Sequence, residues 1–429
     1  MKRYLSFILV VCLSLGLCMF TGCGKAKNSS GSSNSAESIY WLCPYPEAKD
    51  TLSELADEYT EKTGVRVDIE YADSDAYGEK LSAALASDSA PTLFNISCFD
   101  ELIDLTENCA DLSGSDIVSA LSDGASVLAD GEKTLAVPFF NEYCGLIVNT
   151  KLLKSAGIDA SSIKDLASLK NAAAQIHADS ESLGFDAFAP AFTDGELAQG
   201  FAEPLANAAM YYESAADGWD DAPATVSGAY LDALRAVWDM YLECSPAQSD
   251  SSAAPLESFG KGEAVFCPGS SADLSVLAGK YGMSENELSM LPLYIGIDDK
   301  KQGLCSKCTS YLAVNAAASD SAVSETEKFV LWLISDKNAS GLLAGAFGEL
   351  PYKDAAESGN AFAKFAQSMS EQGKSSTAWA YRYTPNAPDW YAVFAHALAM
   401  YAQDGNWNRV VTAYVDGWDV QYTAARMPK

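Results

Sequence analysis

IYWLCPYPEAKDTLSELADEYTEKTGVRVDIEYADSDAYGEKLSAALASDSAPTLFNI (residues 39–96) is the stretch on which the fold turns. Ile39–Leu42 reads as a short buried strand, and Pro44-Tyr45-Pro46 as the loop that leaves it. Leu52, Leu55, Ala56 and Tyr59 then recur at helical spacing, and Gly64, just past Lys62 and Thr63, supplies the stop. Val65–Ile69 alternates as a strand, Tyr77–Ser87 returns to helix, and Thr92–Ile96 is strand again after Pro91. This β-α-β-α-β order is that of a parallel sheet covered by helices. Ligands on such sheets bind beyond the carboxyl ends of the strands, which singles out the loops Cys43–Glu47, Ala72–Tyr77 and Asn95–Asp100.

Upstream, Lys2 and Arg3 precede an apolar run from Tyr4 to Phe20, the charged region and apolar region of an export signal over residues 1–22. Phe20-Thr21-Gly22-Cys23 resembles the lipobox of bacterial lipoproteins, in which cleavage leaves the cysteine as the new N-terminus with lipid on its sulfur. Acyl chains on Cys23 would hold the chain at a membrane face, each buried methylene contributing about 0.8 kcal/mol. The alternative is an uncleaved anchor, for which the run is near the lower length limit. Gly24–Ser38 is Ser, Asn, Gly and Lys with almost nothing apolar, the composition of a flexible tether.

Downstream, Asp130-Gly131 marks a hairpin turn into Leu135–Pro138. Leu146–Asn149, Ala264–Cys267 and Tyr311–Asn315 read as strands. Leu166–Ala178, Glu196–Tyr212, Tyr230–Cys244, Glu325–Ser335, Ala392–Tyr401 and Val410–Val420 read as helices, and Ser245–Pro255 as an exposed loop. Two α/β lobes joined by more than one strand fit this order better than separate beads.

Composition excludes several functions. The 429 residues are 48% apolar and 20% charged, enough for a large core. Their formal charge of −30 repels a phosphate backbone, so nucleic acid is not a partner. Only His177 and His396 are available, which removes histidine-rich metal cages and most arrangements with a His base. Beyond Cys23 the mature chain keeps Cys43, Cys98, Cys109, Cys144, Cys244, Cys267, Cys305 and Cys308, whose spacing selects no disulfide pairing. Cys305-Ser306-Lys307-Cys308 lacks the second pair or histidines that zinc would need.

Seven segments, in order, resemble one family. Glu58–Val65 resembles its "Y-x-x-x-T-G-V" approach to the second strand, and Tyr77–Leu81 with Ala90–Phe94 its "Y-x-x-K-L…A-P-D-V-F" segment. Val137–Asn149 is similar to its "P-x-x-x-E-x-x-G-L-x-Y-N" hinge strand, and Phe259–Val265 to "F-x-x-G-K-A-A". Tyr311–Asn315, Glu327–Ser335 and Gly348–Pro351 resemble its returning strand, its "F-x-x-W-L-x-S" helix and its "G-x-L-P" turn. The family is the extracellular solute-binding proteins of ABC importers, in the sugar-type, maltose-binding-protein-like group. The resemblance implies an α/β fold of two lobes with an interlobe cleft and multiple hinge crossings. It places residues 39–141 plus 304–349 in the N-terminal lobe and 142–303 plus 350–429 in the C-terminal lobe. A monomer without a cofactor would close on a small solute, most simply a sugar, and present it to permease subunits.

Within that frame Glu142 falls where a ligand-contacting carboxylate is implied, an acid among Phe139, Phe140 and Tyr143 that makes sense facing a wet cleft. Asp73 and Asp75 follow the second strand and offer acceptors to hydroxyls, or cap the next helix. Tyr45 and Asn95 are candidates by loop position. Trp390 and Tyr391 are similar to an aromatic pair of the group, Trp390 as the platform for a pyranose face, with core packing as its alternative. One departure stands out: where the family often has "N-G-x-W", Pro268–Ala272 has no aromatic. The rival functions are a lipid-anchored glycosidase with paired carboxylates and a receptor for peptides or polyamines.

Overall fold

The computed structural model describes residues 38–122, 125–189, 199–219, 221–246 and 255–427. The export signal, Cys23, nearly all of the tether and most of the Ser245–Pro255 loop lie outside the described residues. The strands are β1 (Ile39–Cys43), β2 (Val67–Tyr71), β3 (Leu93–Ile96), β4 (Leu128–Asp130), β5 (Lys133–Pro138), β6 (Glu142–Asn149), β7 (Asp186–Phe188), β8 (Ala264–Ser270), β9 (Leu288–Leu291), β10 (Gln302–Lys307), β11 (Tyr311–Val314) and β12 (Ser375–Ala378). One sheet has the order β2-β1-β3-β11-β5-β4, the other β12-β10-β6-β8-β7 with β9 also pairing β6. Each sheet carries helices and forms one lobe of a two-lobe α/β fold.

The first sheet is buried on both faces because its strands alternate apolar side chains toward two helical layers. Ile39, Trp41 and Cys43 pack with Leu52, Leu55 and Tyr59 of the helix Lys49–Thr63 and with Phe329 and Leu333 of the helix Asp320–Ser335. Leu42, Phe94 and Ile96 turn the other way, onto Tyr77, Leu81, Leu102 and Leu105. The first helix ends where expected: Gly64 takes φ 78°, a left-handed conformation that favours glycine, and its N–H reaches the Thr60 carbonyl at 2.8 Å. In the second lobe Leu146 and Val148 face the cluster around Leu169, Leu205 and Trp238, while Ile147 faces Phe259, Met290 and Phe362.

Among the described residues the chain passes between the sheets at Phe139–Asn141, at Cys308–Ser310 and again after the helix Lys337–Phe347. These passages are stitched together. Asn141 bridges Glu349, and the Tyr352 hydroxyl donates to the Pro138 carbonyl at 2.5 Å. Two details differ from the sequence reading. β6 begins at Glu142 rather than Leu146, because Tyr143 and Cys144 pair with Ser306 and Cys305. β10 belongs to the second sheet, so the boundary expected at 303/304 falls inside a strand and the chain crosses beyond Lys307.

Candidate ligand-binding cleft

β1, β3 and β5 end, and β11 begins, at one edge of the first sheet, so their loops meet beside the crossings. Tyr45, Tyr77, Asn95, Ser97, Glu101 and Ser310 enclose a cavity of about 350 Å³ there. Buried Asn95 fixes this wall: its Oδ1 accepts from Trp41 Nε1 at 2.9 Å and its Nδ2 donates to Ser310 Oγ at 3.0 Å. The Tyr77 hydroxyl accepts from the Asn95 N–H at 2.7 Å and donates to its carbonyl at 3.0 Å. Burial pushes the Tyr45 phenol well above its ordinary range, with the neighbouring Ser310 opposing that shift. The Tyr45 ring packs edge-on to Phe140 and Phe347, at 5.7 and 5.1 Å between centroids.

The second lobe presents acids, one lysine and a row of rings. Glu142 stands opposite Lys307 in the β6–β10 ladder, and Lys307 Nζ lies 3.4 Å from Glu203 and 4.6 Å from the centre of the Trp379 ring. Burial pulls the Lys307 ammonium down, but the Glu203 and Glu142 carboxylates outweigh it and hold the group above its ordinary value. Trp379 continues into Tyr381 at 5.6 Å, and Tyr381 into Tyr391 at 6.2 Å. Nearby, burial pushes the Asp273 carboxyl up, the Ser270 N–H opposes that shift, and the Glu142 charge adds to it.

A second cavity, of about 310 Å³, lies among the crossings, with Asn141, Tyr143, Tyr311, Glu349, Trp379 and Arg382 on its walls. The Tyr143 hydroxyl donates to the Glu349 carboxylate. Burial drives Glu349 up, and that hydrogen bond pulls it back. The lobes also touch directly: the Asn386 N–H donates to the Asp100 carboxylate, and Phe99 lies 6.5 Å from Tyr383. Among the described residues no group of three His, Cys, Asp or Glu side chains is placed to hold a metal ion.

The structure brings Tyr45 and Asn95 into one wall, and puts Glu142 and Tyr391 on the other lobe near Lys307 and Tyr381 respectively. Asp73 and Asp75 stand apart, exposed at the start of the helix Ser74–Leu85 and lining none of these cavities, whereas Tyr77 and Gly78 of that helix do. Trp390 is corrected. It is fully buried, stacked on Phe394 at 5.0 Å, edge-on to Tyr414 and Trp418, with Nε1 donating to the Tyr414 carbonyl at 3.2 Å. It is a core side chain with no face left for a ligand. Trp379, just before Pro385, lines the second cavity, and Tyr381 packs against it. The loop without an aromatic serves as a brace: Ser271 Oγ accepts from the Tyr143 N–H at 3.0 Å. Glu203 and Lys307 were not singled out in the sequence, because only β10 pairing and the helix Gln199–Asp217 bring them together.

A cleft between two α/β lobes, faced by rings and carboxylates, is the architecture of a two-lobe binding protein. The chain belongs to the bacterial extracellular solute-binding protein family, whose model matches residues 54–369. Among solved structures, apo RafE from Streptococcus pneumoniae superposes with a TM-score of 0.72 at 14% identity, covering 92% of this chain and 100% of that one. The cyclic alpha-maltosyl-1,6-maltose binding protein from Arthrobacter globiformis gives 0.68 at 16%, covering 91% and 98%. The GacH receptor of Streptomyces glaucescens gives 0.63 at 19%, covering 90% and 99%. At these identities the likeness is one of fold. No curated protein matches the chain in sequence.

Proposed function

We propose that this protein captures a small carbohydrate by closing its two lobes and delivers it to the permease of an ABC importer, held at the outer face of the membrane by lipid on Cys23. What supports the reading is the cavity that Tyr45, Asn95 and Ser97 line beside the crossings of one lobe, together with the Glu142, Lys307 and Trp379 group of the other, whose Glu142 charge acts on the Tyr45 phenol. Rings take the C–H faces of a sugar while carboxylates and amides bond its hydroxyls. The solved neighbours lend support, since they include RafE in complex with raffinose, GacH with acarbose and a chitin oligosaccharide binding protein. Asp73 and Asp75 lie outside the proposed contact set. The working unit is a monomer in which residues 39–138 with 311–347 close against 142–307 with 361–427, and the solute leaves chemically unchanged.

A thermal-shift screen of mono- and oligosaccharides, followed by calorimetric titration, tests this. A sugar at about 100 times its dissociation constant adds about 2.7 kcal/mol to stability. Stabilisation by peptides or polyamines and by no sugar would overturn the reading, as would hydrolysis of chromogenic glycosides in proportion to protein.

A further inference from the structure

Five arginines fall within the described residues of this strongly acidic chain. Arg66, Arg235, Arg409 and Arg426 each stand beside an aspartate, at distances between 2.5 and 3.9 Å. Arg382 does not. It lines the 310 Å³ cavity, half-buried, with Nη2 donating to the Tyr383 hydroxyl at 2.8 Å and its guanidinium over the Tyr383 ring at 4.8 Å. Tyr311 lines the same cavity, its buried hydroxyl without a hydrogen-bond partner among the described residues. The one described carboxylate on the same cavity wall, Glu349, is engaged by Tyr143 and forms no ion pair with it. Taking a cation out of water without a countercharge is costly, and a guanidinium offers a planar fork that matches a carboxylate. Elsewhere on this wall Asn141, Ser306, Ser376 and Thr377 supply amide and hydroxyl groups of the kind that bond sugar hydroxyls.

Resting on the reading of the cleft as a sugar site, we infer that the cavity at Arg382 receives a carboxylate, so the solute is an acidic saccharide containing a uronate. The fork of Arg382 bonds the carboxylate, Tyr383 holds the fork in place, and the hydroxyl-rich wall takes the ring. The net charge of −30 repels such a solute at long range, so its capture speeds up as salt screens the chain.

The test titrates the wild-type protein with galacturonate and glucuronate oligosaccharides, with the corresponding neutral oligosaccharides, and with sugar phosphates. The expected result is uronate binding about 100-fold tighter than neutral binding, the scale of losing hydrogen bonds to a charged group. Association of the uronate should quicken between low and moderate salt. Arg382→Met should weaken uronate binding by about 100-fold and move neutral binding by less than about threefold, with Arg382→Lys intermediate because it keeps the charge and loses the fork. The wild-type selectivity stands as evidence even if a variant misfolds. Neutral sugars or sugar phosphates binding as tightly as uronates overturns the inference and leaves the sugar reading intact. Binding of no saccharide overturns both.

Discussion

At the scale of the residue, Trp390 and Glu142 show what local sequence does and does not reveal. Along the helix Ala387–Asp404, Trp390, Phe394, Ala397, Leu398 and Tyr401 recur at helical spacing and are all buried, whereas the sequence reading begins this helix at Ala392 and holds core packing of Trp390 only as the alternative. The family resemblance pointed instead to a platform, and the packing overrode it. Trp390→Ala should therefore cost about 3–5 kcal/mol in chemical denaturation, the range for emptying a buried aromatic site. A specific loss of sugar affinity at unchanged stability would contradict that. Glu142 drew attention as an acid among Phe139, Phe140 and Tyr143, and its place opposite Lys307 in the ladder gives it a countercharge. Glu142→Gln should weaken solute binding by about tenfold at unchanged melting temperature, the scale of one charge-assisted hydrogen bond. Glu349 gives a pH signature. Burial raises its carboxyl in the folded state, so the folded protein holds that proton more tightly than the unfolded chain does. Its contribution is complete below the ordinary glutamate range and is lost as pH rises through the raised value. Urea midpoints measured from pH 4 upward should show that decline, and Glu349→Gln should flatten it.

Whole elements were readable where sequence neighbours are also spatial neighbours. β1, β2 and β3 with their two helices follow one another along the chain, and their apolar spacing announces each in turn. β10 was not readable. Gln302-Gly303-Leu304-Cys305-Ser306-Lys307 lacks the branched run of a buried strand and is held by partners far away in sequence, β6 and β12. That omission hid half the candidate site, since Lys307 reaches Glu203, Glu142 and Trp379 only through this pairing. β6 shows how tightly the hinge ladder is built. At Gly145 its neighbour on one side changes from β10 to β9, and a Cβ there would overlap the Leu291 carbonyl oxygen and crowd Leu304 and Met290. Gly145→Ala should cost about 1–3 kcal/mol through overpacking, read as a lowered denaturation midpoint. An unchanged midpoint would mean that β9 can move away freely, and the hinge strand would not be the rigid reference against which the lobes turn.

For the molecule as a whole, the question is what holds the lobes together before a solute arrives. The direct contact between Asp100 and the Asn386 N–H joins the helix Phe99–Leu105 of one lobe to the segment opening the helix Ala387–Asp404 of the other, and Phe99 meets Tyr383 beside it. Both contacts span the two lobes outside the proposed solute contacts, so if opening breaks them they bias the ligand-free equilibrium toward closure. A hydrogen bond to a charged group contributes about 1.5–3 kcal/mol, which corresponds to a ten- to hundredfold change in the ratio of closed to open molecules. If the closed form is the one that binds tightly, apparent affinity falls with the fraction closed. Asp100→Ala should then enlarge the ligand-free radius of gyration in solution scattering and weaken the solute by about the same factor as the shift in population. Saturating solute should restore the compact profile, because its contacts to both lobes replace the lost bias. A variant that stays compact and yet binds weakly would place Asp100 in the solute's own contact set, and the clasp would have to be sought at Tyr143 and Glu349 instead.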